Sequence, residues 1–418
     1  MRLSSDASRR AFLSSLGALS AATALGPSFW SNSDNTGQRR HDVSRGLAPS
    51  PSDFLFSPGL VYLQTGSLGP TPRPVMDFTI AAWKELETNP LYYGYGPHEH
   101  AMDEVRAKAA AFIGCNTGEL VLTRCTTEGM NWVAQGLGLA AGDRVLITDQ
   151  EHPGGRSGWE YVARKHGVVL DTVVIPPGEN DEQAIVDRFA KGITPRTRAF
   201  VFSHLLTSTG LRMPVAELSA LARSRNCLAI VDGAQAVGGI DVNVKSLGCH
   251  VYVTSGHKWL MAPKGTGLLY LSEELGTTVD PVALQAGRAA YSDSSGVCNI
   301  PGVLGLGAAI DYSSAIGIAK TEAHNLAVRN RLYDALQSLT KLHVVSAPPG
   351  PLASPLLTFV LPAGLDSKAM YDTLMQKYKV VVKVVPTNWL NGNRISTHLF
   401  NTESDVDALV RALHVEVG

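Results

Sequence analysis

The stretch Val251-Tyr252-Val253-Thr254-Ser255-Gly256-His257-Lys258-Trp259-Leu260-Met261-Ala262-Pro263-Lys264-Gly265-Thr266-Gly267 decides how this chain is read. Its first residues are an apolar, β-branched run of strand length, and the segment rich in Gly, Pro and Lys that follows has the chemistry of a turn. Lys258 stands between them, at the carboxyl end of a candidate buried strand and flanked by a hydroxyl, an imidazole and a glycine. A lysine so placed is suited to forming a Schiff base with a phosphorylated aldehyde cofactor. Taken alone, the same stretch also suits a surface lysine ahead of an ordinary Pro-Lys-Gly turn. The neighbouring segments decide between the two.

Outward from that stretch, short β-branched runs at 119–123, 144–148, 168–175, 199–203, 228–232, 251–255 and 267–271 alternate with segments of helical periodicity. The helical segments fall at 128–139, 155–166, 181–190 and 215–225. Such alternation predicts an α/β fold with a mostly parallel seven-stranded sheet and crossover helices. Ligands of such sheets collect at the carboxyl ends of the strands. Beyond about residue 280 the pattern loosens, with helices expected at 302–317, 321–339, 367–377 and 403–413 and strands mixed among the last two. The expected division is a large cofactor-binding domain with the N-terminal segment at 53–285, then a linking helix and a small α+β domain at 286–418.

With 418 residues, 44% apolar and 17% charged, the chain is long enough for a large core. A net charge of −1, with no basic run interleaved with aromatics, argues against a nucleic-acid partner. Ser8-Arg9-Arg10-Ala11-Phe12-Leu13 followed by a mildly apolar stretch reads as a twin-arginine signal peptide over residues 1–26. Its apolar part is too short to span a bilayer, so the expected location is the periplasm, with no membrane attachment after processing. Residues 27–52, rich in Ser, Asn, Gly and Pro, read as a flexible lead-in. Five scattered cysteines, Cys115, Cys125, Cys227, Cys249 and Cys298, show no metal-ligand spacing and are expected to be mostly buried thiols.

Several further segments carry candidate chemistry. Thr126-Thr127-Glu128 falls between a strand and a helix, where hydroxyls and unpaired backbone N–H groups can cradle a phosphate; it also fits an ordinary helix cap. Asp232 closes the apolar run Leu228-Ala229-Ile230-Val231, where its carboxylate can keep a pyridinium nitrogen protonated, or simply cap the next helix. Gln235, one turn on, is a candidate donor to a phenolic oxygen on the same ring. His152, beyond another strand, can stack on a flat heteroaromatic ring, and Ser255 and His257 can reach a phosphate. Arg394, in Asn393-Arg394-Ile395-Ser396 at the start of a strand, can clamp a substrate carboxylate with two hydrogen bonds or serve in a structural ion pair. The cofactor this set points to is pyridoxal 5'-phosphate.

In order and spacing, Thr126-Thr127-Glu128, His152, Asp232 with Gln235, Ser255-Gly256-His257-Lys258 and Arg394 resemble the class V aminotransferase family of pyridoxal-phosphate enzymes, over about residues 61–413. The resemblance implies a fold-type I homodimer. It also implies Lys258 as the Schiff-base lysine, Asp232 as the pyridine-nitrogen partner, His152 as the stacking ring, Thr127, Ser255 and His257 as phosphate ligands, and Arg394 as the carboxylate clamp. Three departures stand out. Cysteine desulfurases of the family carry a catalytic cysteine in the loop before the terminal arginine, whereas 380–393 contains none, which disfavours persulfide chemistry. Val297 stands where relatives place a threonine reaching the partner subunit's phosphate, and Lys383 stands where desulfurases carry another arginine, hinting at a different acidic substrate. Tyr62-Leu63-Gln64-Thr65-Gly66-Ser67-Leu68-Gly69-Pro70 and Ser203-His204 leading to Thr207-Ser208-Thr209-Gly210 resemble the isopenicillin N epimerase branch. The expected function is transamination or related tailoring of a small amino-acid-like group, such as one on a siderophore, with epimerisation or C–S lysis as alternatives.

Overall fold

In a computed structural model, residues 51–385 and 389–418 are described. The leader at 1–26 and all but the end of the lead-in at 27–52 lie outside the described residues. A short first strand, β1 (Val61–Tyr62), joins the C-terminal half. The central sheet is built from β2 (Leu120–Thr123), β3 (Arg144–Thr148), β4 (Val169–Val173), β5 (Thr197–Ser203), β6 (Leu228–Asp232), β7 (Val251–Ser255) and β8 (Gly267–Leu271), in the spatial order β2-β8-β7-β6-β5-β3-β4.

Both faces of this sheet are covered, and the strand sequences show why. Along β5, Phe200 and Phe202 enter the core on one face while Val201 enters the other; along β7, Tyr252 and its neighbours Val251 and Val253 divide in the same way. Successive side chains of a strand point to opposite faces, so a run that is apolar without interruption must be buried on both sides. Crossover helices supply the cover. Thr126–Gly136 and Pro153–His166 flank one face, and Val215–Ser224 packs beside β6 on the other.

The one strand that breaks the parallel pattern is β8, which pairs antiparallel with both β2 and β7. Ser255 lies opposite Gly267, so the lysine-bearing segment 256–266 is the connection of a wide hairpin rather than a crossover. The helix after β2 begins at Thr126, two residues before the expected 128, because the Thr126 hydroxyl and N–H are both held by Ser255 Oγ, at 2.8 and 2.9 Å.

Two helices ahead of the sheet, Arg73–Thr88 and Pro97–Phe112, were not anticipated from the sequence. They pack against Ile300–Ile316, which is buried along most of its length and shares the core of the large sheet through Val75, Met102 and Val105. The core therefore continues past residue 285, where the sequence pattern suggested a division.

The C-terminal part adds β9 (His343–Val344), β10 (Leu356–Val360), β11 (Val380–Val381), β12 (Lys383–Val385) and β13 (Gly392–Ser396). Four of these form an antiparallel sheet in the order β12-β13-β10-β9. Helices Ile318–Gln337, Ser367–Tyr378 and Glu403–Val417 share a core with it that includes Leu332, Leu374 and Leu409. The N-terminal segment belongs partly here, since Val61 lies opposite Val380 in a parallel β1–β11 pair and Ser396 N–H donates to Leu63 O at 2.9 Å.

A short loop after β5 fastens the two sheets together. Thr358 Oγ1 donates to Ser208 O at 2.7 Å, Ser346 Oγ to Thr209 O, and Ser354 Oγ to Gly210 O at 2.5 Å. Gly210 has φ of +72°, and a Cβ there would lie 2.6 Å from both Leu356 O and Leu356 Cβ. Gly210→Ala should therefore cost about 2–4 kcal/mol from the left-handed backbone and the clash together. Urea unfolding followed by circular dichroism checks this, and an unchanged midpoint would show that the joint tolerates a side chain.

Candidate active site

The strand ends that converge at one edge of the central sheet bring most of the candidate residues together. Asp232 ends β6 and is buried, with Oδ1 accepting the Ala234 N–H at 2.9 Å. Its Oδ2 faces the first turn of Pro153–His166, where a Cβ added to Gly155 would lie 2.5 Å from it. Glycine is required there because the helix runs close over the carboxylate. Burial raises the carboxyl above its ordinary range, opposed by the nearby charge of Lys258 and by the Ala234 N–H.

Lys258 is partly exposed, and its ammonium forms no hydrogen bond or ion pair with the described residues. Burial pushes its amine down to about 8, opposed by Asp232 and reinforced by Arg394 and Lys383. A lysine lowered this far carries a useful fraction of free amine near neutral pH, which is what a nucleophile or proton carrier needs. The turn that carries it is held from below, with Gly69 N–H donating to His257 O at 2.9 Å and His398 Nε2 2.8 Å from Trp259 O.

His152 is the N-cap of Pro153–His166, its Nδ1 accepting the Gly154 N–H at 3.0 Å. That bond places the ring proton on Nε2. Burial, then the charges of Lys258, Lys383 and Arg394, lower the imidazole to about 4. The side chain is substantially exposed and solvent screens part of this effect, yet the ring is neutral at pH 7 in either case. Thr127 lies beside the same turn, since a Cβ on Gly154 would sit 2.4 Å from its Oγ1.

The first-turn N–H groups of Thr127 and Glu128 have no acceptor among the described residues, and His257 Nδ1 is buried without a partner. Together with the free amine of Lys258 and the carboxylate of Asp232, these fit pyridoxal phosphate: donors without acceptors for the phosphate, an anion for the ring nitrogen and an amine for the aldehyde. Ser255 is committed to Thr126, so both shape the cradle while their hydroxyls satisfy each other.

Gln235, the candidate donor to the ring's phenolic oxygen, is partly committed within the chain. Its Nε2 donates to Gly66 O at 2.8 Å and its Oε1 accepts from Trp259 Nε1 at 2.9 Å, which leaves one amide proton for a ligand.

Arg394 lies in the middle of β13 rather than at its start, and it is buried. Nη1 donates to Thr207 O at 2.7 Å and Thr207 Oγ1 at 2.9 Å, Nη2 contacts Gln64 Oε1 at 3.4 Å, and Nε has no partner. No carboxylate pairs with it among the described residues, so the structural ion pair is not formed. The edge left for a ligand is Nε with Nη2.

Glu151 was not anticipated. Adjacent to His152 and buried, it accepts from Thr148 Oγ1 at 2.6 Å, Ser203 Oγ at 2.6 Å and Ser203 N–H at 3.1 Å, tying β3 to β5 beside Asp232. A carboxylate just past a buried strand was the available signal. Other differences are smaller. All five cysteines are free, but only Cys227 and Cys249 are buried, and Val297 is exposed.

Comparison with known proteins agrees with this geometry. Residues 61–409 match the family model described as aminotransferase class-V. The chain is 31% identical to an isopenicillin N epimerase of Amycolatopsis lactamdurans over 401 residues, covering 89% of this chain and 98% of that one. It is 30% identical to a cysteine desulfurase of Salmonella agona (strain SL483), covering 85% and 92% respectively. Among solved structures, a C-DES mutant with glycine covalently linked to the PLP cofactor superposes with a TM-score of 0.79 at 22% identity, over 89% of this chain and all of the other.

Burial raises the Glu151 carboxyl to about 7, opposed by its hydrogen bonds and reinforced by Asp232. The folded state then keeps a proton that the unfolded chain loses near pH 4.5, so stability must fall as pH rises from about 4.5 to 7. Glu151→Gln removes this titration. Its stability relative to the parent should grow between pH 5 and 8, read from urea midpoints, whereas parallel pH profiles would show that Glu151 does not titrate in this window.

Proposed function

The chain belongs to the class V aminotransferase family and is a fold-type I, pyridoxal-phosphate-dependent enzyme; from that membership we propose that it acts at the amine-bearing carbon of an amino acid or amino-acid-derived group, by transamination or a related tailoring reaction. The observation that carries this reading is an unpaired Lys258 amine lowered to about 8, coupled to buried Asp232 and facing the charge of Arg394.

When bound, the cofactor supplies an aldehyde that captures amines and a ring that draws electron density from the substrate α-carbon. Thr127, the first turn of Thr126–Gly136 and His257 would hold the phosphate, with Ser255 fixing that turn. His152 would present a neutral ring face, and Asp232 would keep a proton on the ring nitrogen. The last amide proton of Gln235 would be available to the ring oxygen. Arg394 orients the substrate carboxylate through Nε and Nη2. Lys258, once free, takes a proton from the substrate carbon and returns one where the reaction outcome requires it.

Epimerisation is the second reading, favoured by the isopenicillin N epimerases of Amycolatopsis lactamdurans and Streptomyces clavuligerus, at 31% and 30% identity. It needs a proton delivered to the face of the carbon opposite Lys258. C–S lysis ranks behind both, and desulfuration through a persulfide is disfavoured because residues 380–393 contain no cysteine. The twin-arginine sequence at residues 8–13 supports export of the folded, loaded protein to the periplasm, where tailoring of a secondary metabolite such as a siderophore is the proposed role. A homodimer is part of the same reading, supported by the apolar surface that Leu91, Tyr92 and Tyr95 leave exposed.

Lys258→Ala should abolish turnover of every amine substrate while circular dichroism and the unfolding midpoint stay close to the parent's; retained turnover would remove the residue from the chemistry. Keto-acid release and chiral analysis of the recovered amino acid separate transamination from epimerisation. Cofactor capture by the apoprotein should accelerate as pH rises through about 8, as the amine loses its proton. A rate independent of pH between 7 and 9 would contradict a lowered lysine.

A further inference from the structure

Resting on the proposed amino-acid chemistry, we infer that the site takes a substrate with two acidic groups, Arg394 binding the α-carboxylate and Lys383 a second carboxylate on the same molecule. The two residues lie directly opposite each other in the antiparallel β12–β13 pair. Residues paired in this way project from the same face, with Cβ atoms about 5 Å apart. Like charges so placed repel, and an unliganded pair of cations is unfavourable unless something anionic completes it.

Nothing in the described chain does so. Lys383 forms no hydrogen bond or ion pair through its side chain, and Arg394 forms none with a carboxylate. Elsewhere the protein pairs its cations readily, as in Arg144 with Asp171 and Arg212 with Glu322. The neighbouring residues Pro386, Thr387 and Asn388 carry no acid either. A fully buried guanidinium with its Nε donor unsatisfied is costly, and a carboxylate from outside the chain would offset that cost.

The second cation also faces the reacting centre. The charge of Lys383 acts on both Lys258 and His152, so it lies on the same side as the reacting centre. Lys383 is itself only partly exposed, and burial together with Arg394 disfavours its charged form. A dianion would favour the charged form of both groups. Two cations from opposed strand positions suit two acids separated by a few carbons, as in α-amino dicarboxylic acids or a terminal group built from one. A neutral amino acid would fill only the Arg394 half of the pair.

Glutarate and valerate test this with the full chain loaded with pyridoxal phosphate, because the two acids have the same length and neither has an amine with which to react. Isothermal titration should show glutarate binding about ten-fold or more tighter than valerate, the scale of one added charge pair in a partly buried site. Lys383→Met should bring the two within about two-fold while the protein still retains a visible cofactor band, and Lys383→Arg should retain the preference. Equal affinities in the parent, or a preference that survives Lys383→Met, would overturn the inference. Turnover that survives Lys258→Ala would instead sink the proposed chemistry, and the amine-free acids report on the cation pair independently of it.

Discussion

An acid and a base held apart, without a hydrogen bond between them, at the ends of adjacent strands is the constraint on which this molecule depends. Asp232 closes β6 and Lys258 follows β7, so the parallel pairing of Asp232 with Val253 fixes how the two segments approach. Burial pushes both toward neutrality, raising the carboxyl and lowering the amine, while the attraction between them opposes each shift. The result is a pair in which burial opposes each charge and the partner supports it. Such a pair responds to whatever is placed between its members, which is how a protein sets the protonation of a bound ring and of the group that attacks it.

The rest of the structure holds other groups around that pair. The loop after β5 is hydrogen-bonded to β13 through Thr207, to β10 through Ser208, and to Ser346 and Ser354 ahead of β10 through Thr209 and Gly210, and in making those bonds it uses one nitrogen of Arg394 and leaves the Nε edge free. From the other side, the N-terminal segment pairs with β11, contacts Ser396 and reaches the lysine turn through Gly69. Arg394 therefore cannot shift relative to Lys258 without breaking bonds in both connections. Glu151 plays the corresponding part inside the large sheet, where three hydrogen bonds tie the ends of β3 and β5 beside Asp232.

How much of this was legible in the sequence follows from which forces are local. The strands β3, β6, β7 and β8 fall where the apolar runs place them, because a strand buried on both faces leaves an unbroken hydrophobic signature. The helices Arg73–Thr88 and Pro97–Phe112 went unnoticed: their N-caps, Pro72 and Gly96, make no side-chain capping bond, and their packing partner Ile300–Ile316 lies some two hundred residues away in the chain. The two-residue pairing of β1 with β11 has no local signal at all. In the site, the residues that follow buried strands were visible by position, whereas the commitments of Gln235 to Gly66 and Trp259, and of Arg394 to Thr207, are long-range and appear only once the chain is folded.

The central claim is a covalent one, and it has a direct measurement. Reducing the loaded protein with borohydride, digesting it and mapping the adduct by mass spectrometry should place a pyridoxyl phosphate on the peptide containing Lys258 and on no other lysine. An adduct found on Lys264 or Lys383 instead, or no adduct on a protein that shows the cofactor's visible band, would contradict the account.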